Sequence, residues 1–349
     1  MRGRSKTWAA VAALALMIGV VAAGCSSDDD GDEGGAATSS TAAGGDSTSS
    51  TAAGSGGDED EPWDGEFSTL IYNVAGLPEI LSGSSPEVNT DLIGPKLNDF
   101  DLVLMQETWE TPDPNPLAPT RVYHEILAGH STHAHQTEMA PQPLGTNPDR
   151  PEALLADGLG MFSSIEMGPV TRVAWTGCFG GADTSDRGAA DCLAMKGFAV
   201  VTITLADGAE VDVYNLHAEA GSSATDQDLQ REDFPQLAAF IEEHSAGRAV
   251  IVGGDTNLHT DEEPDNPQDV EDNQIWADFL AATGLADACD AVDCEDTGRI
   301  DKVAFRNGEG VELGVLDRLV ESELFVDDAG EQLSDHQAVS VRFGWRATT

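Results

Sequence analysis

The sequence predicts an α+β domain in which two mixed β-sheets pack together with helices outside them. Three observations carry this expectation. Short apolar runs, such as Asp101–Gln106 and Ala249–Val252, read as strands buried on both faces. Strands, hairpins and helices follow one another without the regular βαβ alternation of a doubly wound fold. The first 62 residues are not foldable material, so residues 63–349 fit one large domain better than two.

Residues Phe67–Val74 alternate and are rich in β-formers, and Gly76 and Pro78 end them. A short helix is expected over residues 88–98, then the strand Asp101–Gln106. Residues 110–157, rich in Pro, His and Asn, read as loops with a little helix. His124, His130, His133 and His135 fall there, in an exposed loop rather than a metal site. Gly158–Ile165, Gly197–Leu205 and Glu210–Leu216 read as strands. The last two flank Ala206-Asp207-Gly208, a hairpin signal because Asp-Gly supports a tight turn. Gln227–His244 has helical spacing through Leu229, Phe234, Leu237, Phe240 and Ile241, with Pro235 as a kink. Ala249–Val252 is another strand, Gln274–Thr283 a helix closed by Gly284, and Arg299–Phe305 and Gln337–Phe343 are late strands. No internal repeat is visible.

The N-terminus reads as a targeting segment. Arg2, Arg4 and Lys6 precede an uncharged apolar run, Trp8–Gly24, which ends in Ala22-Ala23-Gly24-Cys25. Small residues before a cysteine resemble a bacterial lipobox. That resemblance implies a lipoprotein signal peptide over 1–24, a lipid on Cys25, and export to the outer face of the cell membrane. A plain signal peptide or an uncleaved helix are the alternatives. Residues 26–62 are Ser, Thr, Gly, Ala, Asp and Glu, too poor in apolar surface to offset ordering entropy, and read as an acidic tether. Four cysteines remain beyond Cys25. In an oxidising compartment they suggest two disulfides, most simply Cys178–Cys192 and Cys289–Cys294, although sequence alone leaves the pairing open. A Cys₄ metal site lacks the close C-x₂-C spacing such sites use.

Charge narrows the partners. The chain holds 63 acids and 17 bases, a net of −46, of which residues 63–349 keep −39. Such a domain repels polyanions at long range, so duplex DNA is a poor default partner. No basic stretch interleaved with aromatics supports sequence-specific nucleic-acid reading.

Polar residues fall at the ends of apolar strands. Asn73 follows Leu-Ile-Tyr, Glu107 follows Leu-Val-Leu-Met-Gln, and His217 follows Val-Tyr-Asn-Leu. Asp255 and Asn257 follow Val-Ile-Val-Gly-Gly, and Asp335 and His336 lead into the last strand. Side chains at the ends of core strands are held rigidly beside cleft-forming loops. Asn73, Glu107, Asp255, Asn257 and Asp335 form an oxygen-rich set suited to a hard cation, Mg²⁺ or Mn²⁺. The two histidines suit acid–base work near neutral pH.

Six segments, in order, resemble the endonuclease/exonuclease/phosphatase superfamily, which includes DNase I and the neutral sphingomyelinases. They are Tyr-Asn-Val-Ala-Gly-Leu-Pro (72–78), Asp-Leu-Val-Leu-Met-Gln-Glu (101–107), Asn-Leu-His-Ala (215–218), Gly-Gly-Asp-Thr-Asn (253–257), Arg-Ile-Asp-Lys-Val (299–303) and Ser-Asp-His-Gln-Ala-Val (334–339). The resemblance implies a DNase I-like four-layer α/β/β/α sandwich. It implies Glu107 as principal Mg²⁺ ligand with Asn73 beside it and Asp335 helping to hold the site. Asp255 and Asn257 would hold the attacking water and a phosphate oxygen. His336 would be general base or phosphate contact, oriented by Asp301. His217 would contact phosphate or protonate the leaving oxygen. The expected activity is Mg²⁺-dependent hydrolysis of a phosphodiester by in-line attack of water.

Asp191-Cys-Leu-Ala-Met-Lys-Gly197 resembles a segment of the sphingomyelinase-like branch, where a Cys178–Cys192 disulfide would fit. Lys196, one of four lysines in the chain, is expected to hold a structural or phosphate role. The favoured substrate is a phospholipid headgroup, cleaved by a monomeric enzyme. The alternatives are a surface nuclease and a non-catalytic binding module. Residues 306–333 contain Phe325 but no aromatic pair for a membrane-inserting hairpin.

Overall fold

The structure, a computed structural model, describes residues 62–348 apart from 78–81, 83, 112–120, 142–149, 151, 182–189, 261–265 and 296–297. The expected signal peptide, Cys25 and nearly all of the tether therefore lie outside the described residues. Strand β1 (Gly65–Asn73) leads through helix α1 (Pro86–Lys96) to β2 (Leu102–Gln106). Two short pieces, β3 (Glu110–Thr111) and β4 (Arg121–Val122), pair with each other. Helix α2 (Tyr123–His130) and β5 (His135–Gln136) follow. Then come β6 (Gly160–Ser163), β7 (Glu166–Met167), β8 (Thr171–Ala174), β9 (Gly197–Thr204) and β10 (Glu210–His217). Helix α3 (Ala224–His244) joins β10 to β11 (Ala249–Asp255). Helix α4 (Pro267–Thr283) leads to β12 (Ala286–Asp287), β13 (Asp301–Arg306), β14 (Val311–Val320) and β15 (Val339–Ala347).

These strands make two mixed sheets. One has the order β14-β15-β1-β2-β6-β5; the other runs β12-β13-β11-β10-β9-β7, with β8 also on β9. Each contains one parallel pair, β1/β2 and β10/β11, and each pair is bridged by a helix. There is thus one βαβ unit per sheet, set among hairpins, and no regular βαβ alternation.

Side chains alternate across each strand, so one apolar strand can serve two cores. Phe67, Ile71, Leu104, Val211, Val213, Ile251, Val303 and Phe343 meet between the sheets. Leu70, Tyr72, Val103 and Met105 face the other way and pack with Ile93 and Leu97 near α1 and Leu127 of α2. Tyr214, Val250 and Val252 likewise meet Phe234, Leu237 and Ile241 of α3 and Ile275, Trp276 and Phe279 of α4. The result is the expected α/β/β/α layering.

Most strands fall within a residue or two of their expected positions. Helix α4 begins seven residues earlier than periodicity suggests, because Asn266 caps it through the N–H groups of Gln268 and Asp269, with Pro267 in the first turn. Ser223 and Asp226 form a capping box that starts α3 at Ala224, and the helix continues through Pro235. Strand β14 was absent from the sequence reading. Its Glu, Gly, Asp and Arg residues mask the alternation of an edge strand, which needs only one buried face. His124 and His133 are buried, not in an exposed loop. Each has its Nε2 2.7 Å from a backbone carbonyl, of Thr137 and Phe100 respectively, so hydrogen bonding accounts for both rings. Disulfides join Cys178 to Cys192 and Cys289 to Cys294.

Candidate active site

The alternation that builds the inter-sheet core also places the polar residues. On β1, the face carrying Phe67 and Ile71 reaches Asn73 at the strand end. On β10, the face of Val211 and Val213 continues to Asn215 and His217. On β11, Ala249 and Ile251 are followed by Gly253 and Asp255, and on β13 Val303 is preceded by Asp301. The same face of each strand is thus apolar in the middle and polar at one pole. Between the two zones, Gln106 donates to Asn215 at 2.7 Å, and Asn215 donates to the carbonyls of Met105 and Gly160. This buried amide pair ties the sheets together where the apolar core ends.

The chain is tightly bent here. Ala75, Glu107 and Asn257, each just past a strand of the site, have φ values of 49°, 58° and 51°. Left-handed backbone in non-glycine residues costs energy and clusters where geometry matters for function. Two glycines permit the close approach. A Cβ on Gly76 would stand 2.1 Å from the carbonyl oxygen of Glu107, and one on Gly253 would stand 2.9 Å from Ile71 in the facing sheet.

Within this frame, the Nδ2 of Asn73 donates both to Glu107 Oε1 and to Asp255 Oδ2, each at 3.0 Å. The Nε2 of His217 lies 3.4 Å from Asp255 Oδ2 and 3.9 Å from Glu107 Oε1. The Nε2 of His336 is 3.8 Å from Asp255 Oδ2, while its Nδ1 is 2.8 Å from Asp301 Oδ2. Asn257 donates its backbone N–H to Asp255 Oδ1 at 3.0 Å and its amide to the carbonyl of Ala218. Six of the expected site residues, Asn73, Glu107, His217, Asp255, Asp301 and His336, therefore converge, and Asn257 braces them.

Asp335 stands apart. It is exposed, accepts from Ser334 Oγ at 3.3 Å, and acts on Glu107 through its charge. Asn73 uses its Oδ1 to accept from the N–H of Ala75, so in this arrangement the residue aligns carboxylates through its amide nitrogen. Among the described residues, Asp255, Asp301 and His336 form a group of three whose acidic and imidazole atoms all lie within 4.8 Å of one another. This differs from the expected grouping of Glu107, Asn73 and Asp335. Asp301 and His336 already engage each other, which leaves Asp255 as the member of that trio facing Glu107.

Burial governs the titration. It pushes Glu107 up to about 7, helped by the charge of Asp335 and opposed by the Asn73 hydrogen bond. Asp255 is raised for the same first reason. Burial holds His217 well below its ordinary range, with the charges of Lys196 and His336 adding to the effect. Burial also opposes charge on His336, but Asp301 and Asp255 outweigh it and hold the imidazole well above its ordinary range. One histidine is thus neutral and the other charged. Glu107 and Asp255 share one amide donor, and their hard oxygens are of the type a divalent cation such as Mg²⁺ prefers.

A second charged cluster adjoins the first. Lys196 pairs with Asp191 and donates to the carbonyl of Ala218 at 3.3 Å. Asp191 accepts from the N–H of Ala220, Asp233 from that of Glu219, and Glu219 from that of Phe179, next to Cys178. Burial pushes Glu219 up to about 9 and Asp233 up to about 7. Burial works against charge on Lys196 too, but Asp191 outweighs it and keeps the ammonium charged.

Several contributors were not expected at the site, although Ser334 stands in the segment 334–339. Ser334 ties the two sides of the cleft, donating to the carbonyl of Asn73 at 2.7 Å and accepting from the N–H of His336. Trp175 donates to the carbonyl of His217 at 2.7 Å, and the ring of Trp109 stacks 6.1 Å from the imidazole of His217. Trp109 sits two residues past Glu107, so position alone marked it; the other contacts join segments far apart in sequence.

No family model matches the chain. Curated sphingomyelinases of Mycobacterium bovis and Mycobacterium tuberculosis are 31% identical over 303 residues, a match covering 81% of this chain. The match spans 54% of those relatives, about half their length. Among solved structures, an endonuclease/exonuclease/phosphatase from Beutenbergia cavernae superposes with a TM-score of 0.53 at 16% identity, covering 80% of this chain and 72% of that one. A beta toxin variant from Staphylococcus aureus with bound magnesium ions superposes with a TM-score of 0.52 at 15% identity, covering 79% and 99%. These structural likenesses carry the fold.

Proposed function

We propose that the chain is a Mg²⁺-dependent phosphodiesterase of the endonuclease/exonuclease/phosphatase kind acting on phospholipid headgroups, a reading supported by curated sphingomyelinases 31% identical over 81% of this chain. The observation that carries this reading is the convergence of Glu107, Asp255, His217, His336 and Asp301 from separate strands at one pole. The homology supports a sphingomyelin-type diester, and the net charge of −39 over residues 63–349 argues against a polyanionic substrate.

Glu107 and Asp255 would hold the cation, with Asn73 aligning both carboxylates. When bound, Mg²⁺ supplies charge neutralisation for the phosphoryl oxygens and the pentavalent transition state. His336 keeps its proton through Asp301 and Asp255, which suits contact with a phosphoryl oxygen more than service as the resting base. Asp255, braced by Asn257, would also help to orient the attacking water. Neutral His217 presents Nε2 to the same space, where it can hydrogen-bond a phosphoryl or leaving oxygen. Trp175 holds the main chain of His217, and Trp109 stacks against its ring. The apolar leader and Cys25 support an exported, lipid-anchored enzyme.

The test is turnover of sphingomyelin, lysophospholipid and plasmid DNA, with Mg²⁺ or with EDTA, beside a His336→Ala control. Mg²⁺-dependent headgroup release that the variant loses supports the proposal. Plasmid nicking without lipid turnover would replace it with a nuclease. No turnover under any divalent metal would make the chain a binding module.

A further inference from the structure

Strand β12 is short, and it leaves part of its neighbour uncovered. It pairs with β13 at Ala304 and Phe305, and the N–H of Ala288 adds a bond to the carbonyl of Val303. Further along that edge, at Asp301 and Lys302, no strand lies beside β13 among the described residues. A cavity of about 250 Å³ opens there. Asn273 and Trp276 of α4, Arg318 of β14, and Arg299, Asp301 and Lys302 help to line it.

Alternation along β13 explains how the cavity adjoins the candidate active site. Asp301 and Val303 lie on the face between the sheets, where Asp301 holds His336. Lys302 and Ala304 lie on the other face, toward α4. The open edge gives the cavity access to both faces. One carboxylate, that of Asp301, therefore borders both spaces. Arg299 makes a second link, donating to Gln337 Oε1 at 2.6 Å, next to His336 in the chain.

Charge here departs from the rest of the domain. Residues 63–349 carry 14 bases, and three of them, Arg299, Lys302 and Arg318, line this one cavity. Three acids share the lining: Asp287, Asp290 and Asp301. Asp287 accepts from Trp276 Nε1 and from the N–H of Cys289, each at 2.7 Å. Asp301 faces the charged imidazole of His336 at 2.8 Å. With that imidazole counted, bases outnumber acids here, in a domain whose net charge is −39.

Lys302 is the costly member. Its side chain is buried, donates to the hydroxyl of Thr260 at 2.7 Å and to the carbonyl of Arg299, and lies 5.9 Å from the centre of the Trp276 ring. Burial pulls its ammonium down to about 8. Asp287, Asp301 and Asp272 oppose that shift, and Arg318 adds to it. A buried cation whose surroundings disfavour its charge gains from an incoming anion. The planar forks of two arginines and the point charge of a lysine suit the oxygens of a phosphate.

We propose that this cavity binds a small tetrahedral oxyanion, a phosphate or a phosphate monoester, among Arg299, Lys302 and Arg318 and against the carboxylate that holds His336. The site stands whether or not the cleft hydrolyses a lipid diester.

Titration calorimetry on the full chain in detergent, with EDTA at about pH 8, tests it. Sulfate, which does not titrate there, is the first probe. Wild type should bind it, and Arg318→Gln should weaken binding by about tenfold or more, the usual weight of a hydrogen bond to a charged group. Lys302→Met should do the same, while His217→Ala, altered in the cleft, should bind as wild type does. Binding should also take up about half a proton near pH 8, because the anion restores the charge of Lys302. The dependence of the heat on buffer ionisation reads that uptake, and Lys302→Met should abolish it. A lysine that merely braced Thr260 and Arg299 would show no linked proton. Arg318 is half-buried, so its variant decides the matter even if Lys302→Met fails to fold. Competition against sulfate then separates the sources. Phosphocholine binding more tightly than inorganic phosphate makes a headgroup the occupant, and the reverse order makes it the free ion; either upholds the site. Equal affinity of wild type and Arg318→Gln overturns it, as does binding that only His217→Ala removes, or no binding of sulfate, phosphate or phosphocholine.

Discussion

Two clusters of buried charge lie side by side at one pole, and they differ in where their hydrogen-bond donors come from. In the first, Asp191, Glu219 and Asp233 each accept from a main-chain N–H, and Asp191 also holds Lys196. In the second, Asp255 keeps one main-chain donor, the N–H of Asn257, but its Oδ2 and Glu107 Oε1 share the amide of Asn73 and face two imidazoles. Main-chain donors are committed by the fold and hold their carboxylates still. Side-chain donors can re-pair when a cation or phosphate arrives. Buried acidity alone therefore does not make a site; the mobility of its partners does.

The largest expected effect separates the clusters by activity. His336→Ala should lower kcat/KM for a soluble diester by about 10²–10⁴-fold, the usual weight of a positioned acid–base group. It also leaves Asp301 buried without its imidazolium, so a lower melting temperature should accompany the loss, and turnover is compared where the variant is still folded. A folded variant with wild-type turnover would place His336 in the structural cluster.

Lys196→Met probes the other side. It leaves Asp191 buried without its cation, and removal of one partner from such a pair costs about 3–5 kcal/mol. Chemical denaturation should show that loss. Unchanged stability with lost turnover would move Lys196 into the reacting set.

Mg²⁺ should stabilise only through the second cluster. At about 100 times its dissociation constant it should add about 2.7 kcal/mol, and Glu107→Gln should abolish that gain. An equal gain in Glu107→Gln, read by thermal melting, would point to a cation held elsewhere.

The smallest effect concerns pH. Burial raises Glu219 from its ordinary 4.5 to about 9, so the folded state holds a proton that the unfolded chain releases. Its contribution is whole below pH 4.5 and is lost progressively as pH rises toward 9. Glu219→Gln removes that loss. Melting curves across this window should be flatter for the variant by about 5 °C. Parallel curves would mean that Glu219 stays ionised in the fold.

The ordered motifs made much of this legible. Asp101–Gln106 and Ala249–Val252 were readable because strands buried on both faces leave unbroken apolar runs. The polar residues at their ends followed, and six of the expected site residues meet in space. Strand β14 was not readable, since an edge strand that buries one face can carry Glu312, Asp317 and Arg318 without penalty. Nor were the bridging roles of Asn73 and Ser334, or the separation of Asp335 from the carboxylates.

By itself, the sequence determined most strands and their polar ends, because periodicity and ordered motifs are local properties of the chain. It also determined the strongly acidic surface. Only the tertiary structure decided which polar atoms meet. It made His217 neutral and His336 charged, although both are histidines at strand boundaries, since burial and the position of Asp301 act through space.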